Sequence, residues 1–402
     1  MALLAATVVA GCGAADRSGQ APTAVPPAAA TAGHTLTAAA APNGSSTRLD
    51  AIAFTSKTAG YGVFTRQAPR RCQVLAARTT DGGTRFGTLA PVATWPCGGN
   101  LPASFLAADG HGDAFFYDPG LFVTHNGGRT WASAHQPGTV LAIATAGSSA
   151  WMVRADCPRH DRACTLRLLE SADGGRAWVA SPTQPPGATV RAVGGRPAQE
   201  GAAGQTWLLR TGRSSAYVLS GPVGDAAPFW FTGDGGQTWS TGQVRCGQIG
   251  AISVTLSAAP DGTLLAVCAG QPSAGFQAKS AGRSTDGGRS WMVHAPCTPS
   301  HPGCGRGVPL DFGYLAQIDA VSPGTAFLVG DRSSLLVTTD GGSRWRAIRP
   351  LIGDSGGGTF GVIFVNRRDG FVLGDDAGHD EMPAIWRTTD GGTRWSGELP
   401  RP

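Results

Sequence analysis

Lysine and glutamate are almost missing from this 402-residue chain: lysine stands only at Lys57 and Lys279, glutamate only at Glu170, Glu200, Glu381 and Glu398. Arginine and aspartate carry the charge instead, with a net +5. No basic run interleaved with aromatics occurs, which excludes the usual nucleic-acid footprint. Tyrosine is as scarce, at Tyr61, Tyr117, Tyr217 and Tyr314. No apolar run is long enough to span a bilayer. There is no Cys-x-x-Cys and no histidine beside a cysteine at finger spacing, so structural zinc is disfavoured. P-loop, dinucleotide, nucleophile-elbow and zinc-protease motifs are absent as well.

Glycine (60), proline (28) and tryptophan (11) are plentiful, and 41% of the residues are hydrophobic. That is core material for a fold with many turns. One octet recurs: Thr388-Thr389-Asp390-Gly391-Gly392-Thr393-Arg394-Trp395 has six upstream copies, marked by Asp81, Asn126, Asp173, Asp234, Asp286 and Asp340. The markers lie 45, 47, 61, 52, 54 and 50 residues apart, the length of one supersecondary unit that cannot bury its own faces. Short Val/Ile/Leu/Phe-rich runs flank each copy. The octet is therefore read as a tight turn between antiparallel strands, its Gly-Gly supplying backbone conformations that side chains resist. The acidic side chain would take N–H groups two residues on, with the first-position hydroxyl locking the turn.

Ser/Thr-x-Asp-x-Gly-x-Thr-Trp resembles the Asp-box, or BNR repeat, of sialidase-like propellers. Positions 85, 177, 344 and 394 depart from the pattern. The resemblance implies an all-β, seven-bladed propeller of four-stranded blades, strands A to D, with each octet in a C–D turn. Blade one opens near Leu49, and the propeller occupies 47–402. Blade four offers one strand too many: Val190–Val193, Thr206–Leu209, Ala216–Leu219 and Phe229–Phe231 all precede its octet, so either a hairpin is inserted or one run is a loop. Ring closure rests on packing alone, or on a strand from 35–42.

The N-terminus, Ala2–Ala10 followed by Gly11-Cys12, is similar to a bacterial lipobox, though it lacks the basic start and is short. It implies a truncated lipoprotein signal over 1–12, cut just before Cys12 so that this residue becomes the lipidated N-terminus, then a flexible Ala/Pro/Gly/Thr-rich tether over 13–46. The chain would sit on the extracytoplasmic face of the cell membrane or be secreted. Eight further cysteines, Cys72, Cys97, Cys157, Cys164, Cys246, Cys268, Cys297 and Cys304, read as disulfide-forming in that compartment. Cys72, Cys157, Cys164 and Cys268 fall in or beside B–C connections, and the other four in D–A connections. All eight then lie on the face opposite the octets, and that loop face is the candidate binding surface.

Each octet brings one carboxylate, too few for calcium, so the octet acids read as structural. The one concentrated polar group is Asp375, Asp376, His379, Asp380 and Glu381, with Asp354 on the same rim. It reads first as a solvated acidic loop and second as a ligand or calcium site. No other cofactor is implied. A sialidase would need an arginine cluster and a Tyr–Glu nucleophile, and the Arg-Ile-Pro signature is missing. The resemblance therefore points to non-catalytic members, similar to photosystem II stability and assembly factor-like and sortilin-type propellers. On that reading the chain is a monomer binding a protein or glycan on its rim, touching the membrane through its anchor and no nucleic acid. A sialidase-like glycoside hydrolase is the alternative.

Overall fold

The computed structural model describes residues 47–68, 71–95, 105–117, 120–158, 163–193, 196–197, 206–221, 223–273, 276–294, 307–309, 313–331, 335–348, 359–376 and 382–398. Regular structure there is all strand. Blade one contains β1 (Thr47–Phe54), β2 (Gly60–Ala68), β3 (Arg71–Thr79) and β4 (Ala90–Trp95). Blade two contains β5 (Phe105–Ala108), β6 (Ala114–Tyr117), β7 (Phe122–Thr124) and β8 (Ala132–Ser133). Blade three contains β9 (Thr139–Ala146), β10 (Ser149–Asp156), β11 (Ala163–Ser171), β12 (Val179–Ala180), β13 (Thr189–Val193) and β14 (Arg196–Pro197). Blade four contains β15 (Trp207–Arg210), β16 (Ala216–Leu219), β17 (Ala226–Thr232) and β18 (Ser240–Arg245). Blade five contains β19 (Ser253–Ala258), β20 (Leu264–Ser273), β21 (Phe276–Ser284) and β22 (Met292–His294). Blade six contains β23 (Tyr314–Ala320), β24 (Ala326–Asp331), β25 (Leu335–Thr338) and β26 (Arg346–Ile348). Blade seven contains β27 (Thr359–Phe364), β28 (Gly370–Asp376), β29 (Met382–Thr388) and β30 (Ser396–Glu398).

Within each blade consecutive strands pair antiparallel, except that in blade three β12 and β13 both pair with β11, and the seven blades form a propeller. The octets and first-to-second turns therefore share one end. The second-to-third and fourth-to-first connections share the other, the rim.

Alternation along the strands gives each sheet two apolar faces, and each face must be covered. Seven clusters do this, one per junction between neighbouring blades. At the closing junction Leu49, Ile52 and Phe54 of blade one meet Phe371, Leu373 and Ile385 of blade seven. The rings of Phe54 and Phe371 stack 3.6 Å apart. Among the described residues β1 pairs only with β2, so closure rests on packing. The 35–42 segment lies outside the described residues.

First strands of blades five to seven are also stitched by side chains. Thr255 Oγ1 and Ser257 Oγ accept the N–H groups of Ile318 (3.3 Å) and Ala320 (3.0 Å). Gln317 Nε2 donates to Val362 O, and the buried Asp319 accepts the Phe364 N–H at 2.6 Å and the Ser257 hydroxyl at 3.3 Å.

The surplus strand expected in blade four belongs to blade three. Val190 pairs with Cys164, so β13 continues the outer edge that β12 begins on Leu169 and Glu170. Between them the chain swings out, and the Gln184 side chain fills the ladder. Leu168 N–H donates to Gln184 Oε1 (2.7 Å), and Gln184 Nε2 donates back to Leu168 O (3.0 Å). The excursion clasps blade four: Thr183 Oγ1 donates to Gly236 O at 2.6 Å and Trp230 Nε1 to Pro186 O at 2.9 Å. This detour lengthens the interval between the third and fourth octets.

Candidate functional site

The octet acids are consumed by their own turns. In all seven copies the first-position hydroxyl donates to the acidic or amide side chain at 2.7–3.0 Å. The same hydroxyl accepts the N–H of the second glycine at 2.7–3.0 Å. The side-chain oxygen takes an N–H four residues on, not two as expected, at 2.9–3.0 Å. The Thr238 hydroxyl and backbone N–H pull the Asp234 carboxyl down to about 2, and the same arrangement from Ser290 lowers Asp286 further. Such carboxylates have no proton to give and few free lone pairs for a metal. The glycines serve packing. Gly392 has φ 83°, and a Cβ there would lie 2.2 Å from Phe327 of the preceding blade.

At the rim, Cys157 is bonded to Cys164, and Cys246 to Cys268. Cys72, at the start of β3, is also disulfide-bonded. Cys268 lies within β20 rather than beside a connection, because β20 and β21 run on past the end of β19 as a projecting hairpin. Cys12, Cys97, Cys297 and Cys304 lie outside the described residues, as do Asp354, His379, Asp380 and Glu381. Asp375 and Asp376 end β28, opposite Pro383 and Met382.

The rim has a step between blades two and three. Strands β5 to β8 have four, four, three and two residues, whereas β9, β10 and β11 have eight, eight and nine. The described strands of blade two thus cover only the octet half of the sheet facing them. Met152 and Leu169 are buried there, while Ala163, Thr165 and Arg167 on the same face are exposed. Register brings more residues to this uncovered shelf: Arg154 lies opposite Arg167, Asp156 opposite Thr165, and Arg191 opposite Ala163. Arg196, opposite Val193, stands at the outer edge.

Asp156 is the one acidic side chain among them, with Arg154 Nε at 3.4 Å and Arg167 Nε at 3.6 Å. Half of the Arg167 side chain stays exposed (49%), and Arg191 and Arg196 are exposed too. At the foot of the shelf a cleft of about 270 Å³ is lined by Leu121, Ser133, His135, Gln136, Gly138 and Thr139. Gly138 has φ 81°, and a Cβ there would come within 2.7 Å of Asp156 Oδ1. Glycine alone lets the Asp156 carboxylate sit against the cleft wall.

Solved structures with this architecture include YCF48 from Cyanidioschyzon merolae, with TM-score 0.51 and 16% identity over 90% of this chain and 100% of that one. The likeness is one of fold. A structure of YCF48 bound to D1 peptide aligns with TM-score 0.45 and 16% identity over 72% of this chain and 78% of that one. An α-L-arabinofuranosidase from Fusarium graminearum aligns with TM-score 0.43 and 13% identity over 89% of this chain and 93% of that one. No family model and no curated protein matches the sequence.

The shelf arginines were not singled out in the sequence, where they form no basic run. Their signal was weak: Arg154, Arg167, Arg191 and Arg196 are spread over 43 positions and meet only through strand register. One hint was legible. Thr165-Leu166-Arg167 alternates polar with apolar ahead of the octet, as a strand with one wet face does.

Proposed function

We propose that this chain is an exported, lipid-anchored propeller without catalytic activity, a monomer that holds a protein or glycan partner on its rim. Cys12 carries the lipid and 13–46 is the tether, so the propeller works at the extracytoplasmic face of the membrane. The carrying observation is the contrast between the two ends. Octet side chains are spent on their own turns, whereas the rim presents an uncovered, disulfide-braced sheet above a cleft. Binding surfaces are commonly built this way, on loops and edges held by a rigid scaffold. A polypeptide suits this shelf better than a sugar: its described side chains are arginine, threonine, alanine and aspartate, with no aromatic face for a sugar ring.

The test is affinity capture from the membrane fraction with the full chain carrying Thr165→Trp on the shelf or Gln237→Trp in an octet. Loss of the partner with the first and retention with the second supports rim binding; the reverse pattern refutes it. Turnover of a sialic-acid reporter substrate would reinstate the hydrolase reading. The acidic segment is a separate question. Calcium titration calorimetry on wild type and Asp376→Ala with equal null heats would remove it as a cation site.

A further inference from the structure

Resting on rim binding, we infer that the partner engages the blade-three shelf with an extended, carboxylate-bearing segment, and that Asp156 is an internal stand-in for one of its carboxylates. Among the described residues four arginines share this surface with a single acidic side chain, so these residues carry an excess of positive charge. Strand geometry gives the positive groups a line. Arg167 and Ala163 are four residues apart on β11, so Arg191, opposite Ala163, lies roughly 14 Å along the strand from Arg167. Arg196 lies beyond it, toward the outer edge. An extended peptide repeats its same-face side chains about every 7 Å, so acidic residues at alternate positions would meet this line.

Asp156 shows how such a carboxylate is received. It lies between the Nε atoms of Arg154 and Arg167 at salt-bridge distance, yet its own side chain is 38% exposed. An incoming carboxylate competes with it for the same guanidinium groups. Removing the Asp156 charge takes from Arg154 and Arg167 the acidic partner that the described residues give them and leaves both guanidinium groups to an incoming carboxylate. Arginine forks suit this role because each can take a carboxylate through two N–H groups.

The probe is a fluorescent peptide alternating glutamate with threonine, with lysine replacing glutamate in its control. Phosphatidylglycerol vesicles are the competing occupant. The full chain should bind the glutamate peptide and not the lysine one, and binding should weaken with salt. Arg167→Gln with Arg191→Gln should weaken it about tenfold or more, while Asp156→Asn should tighten it about threefold. Arg245→Gln, on the rim of blade four, should change nothing. Thermal melts check that every variant is folded. Equal binding of both peptides, weaker binding by Asp156→Asn, or capture of vesicles in place of the peptide would each overturn the inference. If the membrane partner survives the double arginine change but is lost with Thr165→Trp, the acidic segment fails while rim binding stands. Survival in both, with loss in the Gln237→Trp octet variant, removes rim binding itself.

Discussion

Asp319→Asn should make this propeller more tolerant of neutral and alkaline pH. Asp319 is 1% exposed and joins three blades through the Phe364 N–H, the Ser257 hydroxyl and its own strand. Burial pushes its carboxyl from 3.8 up to about 7, against the lowering effect of the Phe364 and Ser257 hydrogen bonds. The sign follows from which state holds the proton. Below about pH 4 both folded and unfolded chains carry it, and the site is neutral in the balance. Between about pH 4 and 7 the unfolded chain has released its proton and the folded one has not, so stability falls as pH rises through that window; above it the penalty is constant. About three pKa units correspond to about 4 kcal/mol.

Asparagine keeps the acceptor for Phe364, can donate to Ser257, and does not titrate. Urea unfolding of both proteins from pH 4 to pH 8.5 should therefore give curves that diverge, with the variant gaining roughly 3–4 kcal/mol relative to wild type across the range. Parallel curves, or a variant that falls behind as pH rises, would refute a carboxyl that is kept protonated by its burial.

Three further expectations concern packing and cross-links. Gly392→Ala should lose about 2–4 kcal/mol, since it strains a positive φ and drives Cβ into Phe327, whereas Gly235→Ala, with φ 74° and nothing within 4 Å, should lose only about 1 kcal/mol by the same denaturation assay. Gln184→Ala removes both amide bonds to Leu168, and a loss of about 1–3 kcal/mol together with faster hydrogen exchange at the Leu168 amide is expected. Replacing Cys246 and Cys268 by serine opens a loop of 22 residues and should cost about 3 kcal/mol in calorimetry.

Much of the architecture was legible because the octet is a local object. Its hydroxyl, acid and second glycine satisfy one another within a few residues, so the sequence alone marks where each third strand ends. Blade four was misjudged for the opposite reason. Val190 is assigned by a partner 26 positions away, Cys164, and by a glutamine side chain doing a peptide's task at Leu168, neither of which leaves a periodic trace. The shelf was hidden likewise. It follows from the short described strands of blade two, and the length of a neighbour is invisible in the strand that it leaves exposed.

The junction between Phe54 and Phe371 has a mechanical corollary. Among the described residues no strand is shared across it, so tension applied between β1 and β30 loads stacked rings and aliphatic contacts rather than a ladder of hydrogen bonds. The circle should part there first, at low force, releasing a horseshoe whose sheets are still intact. Single-molecule pulling should record that small early extension ahead of the larger rips of individual blades, and a first event of full blade length would contradict it.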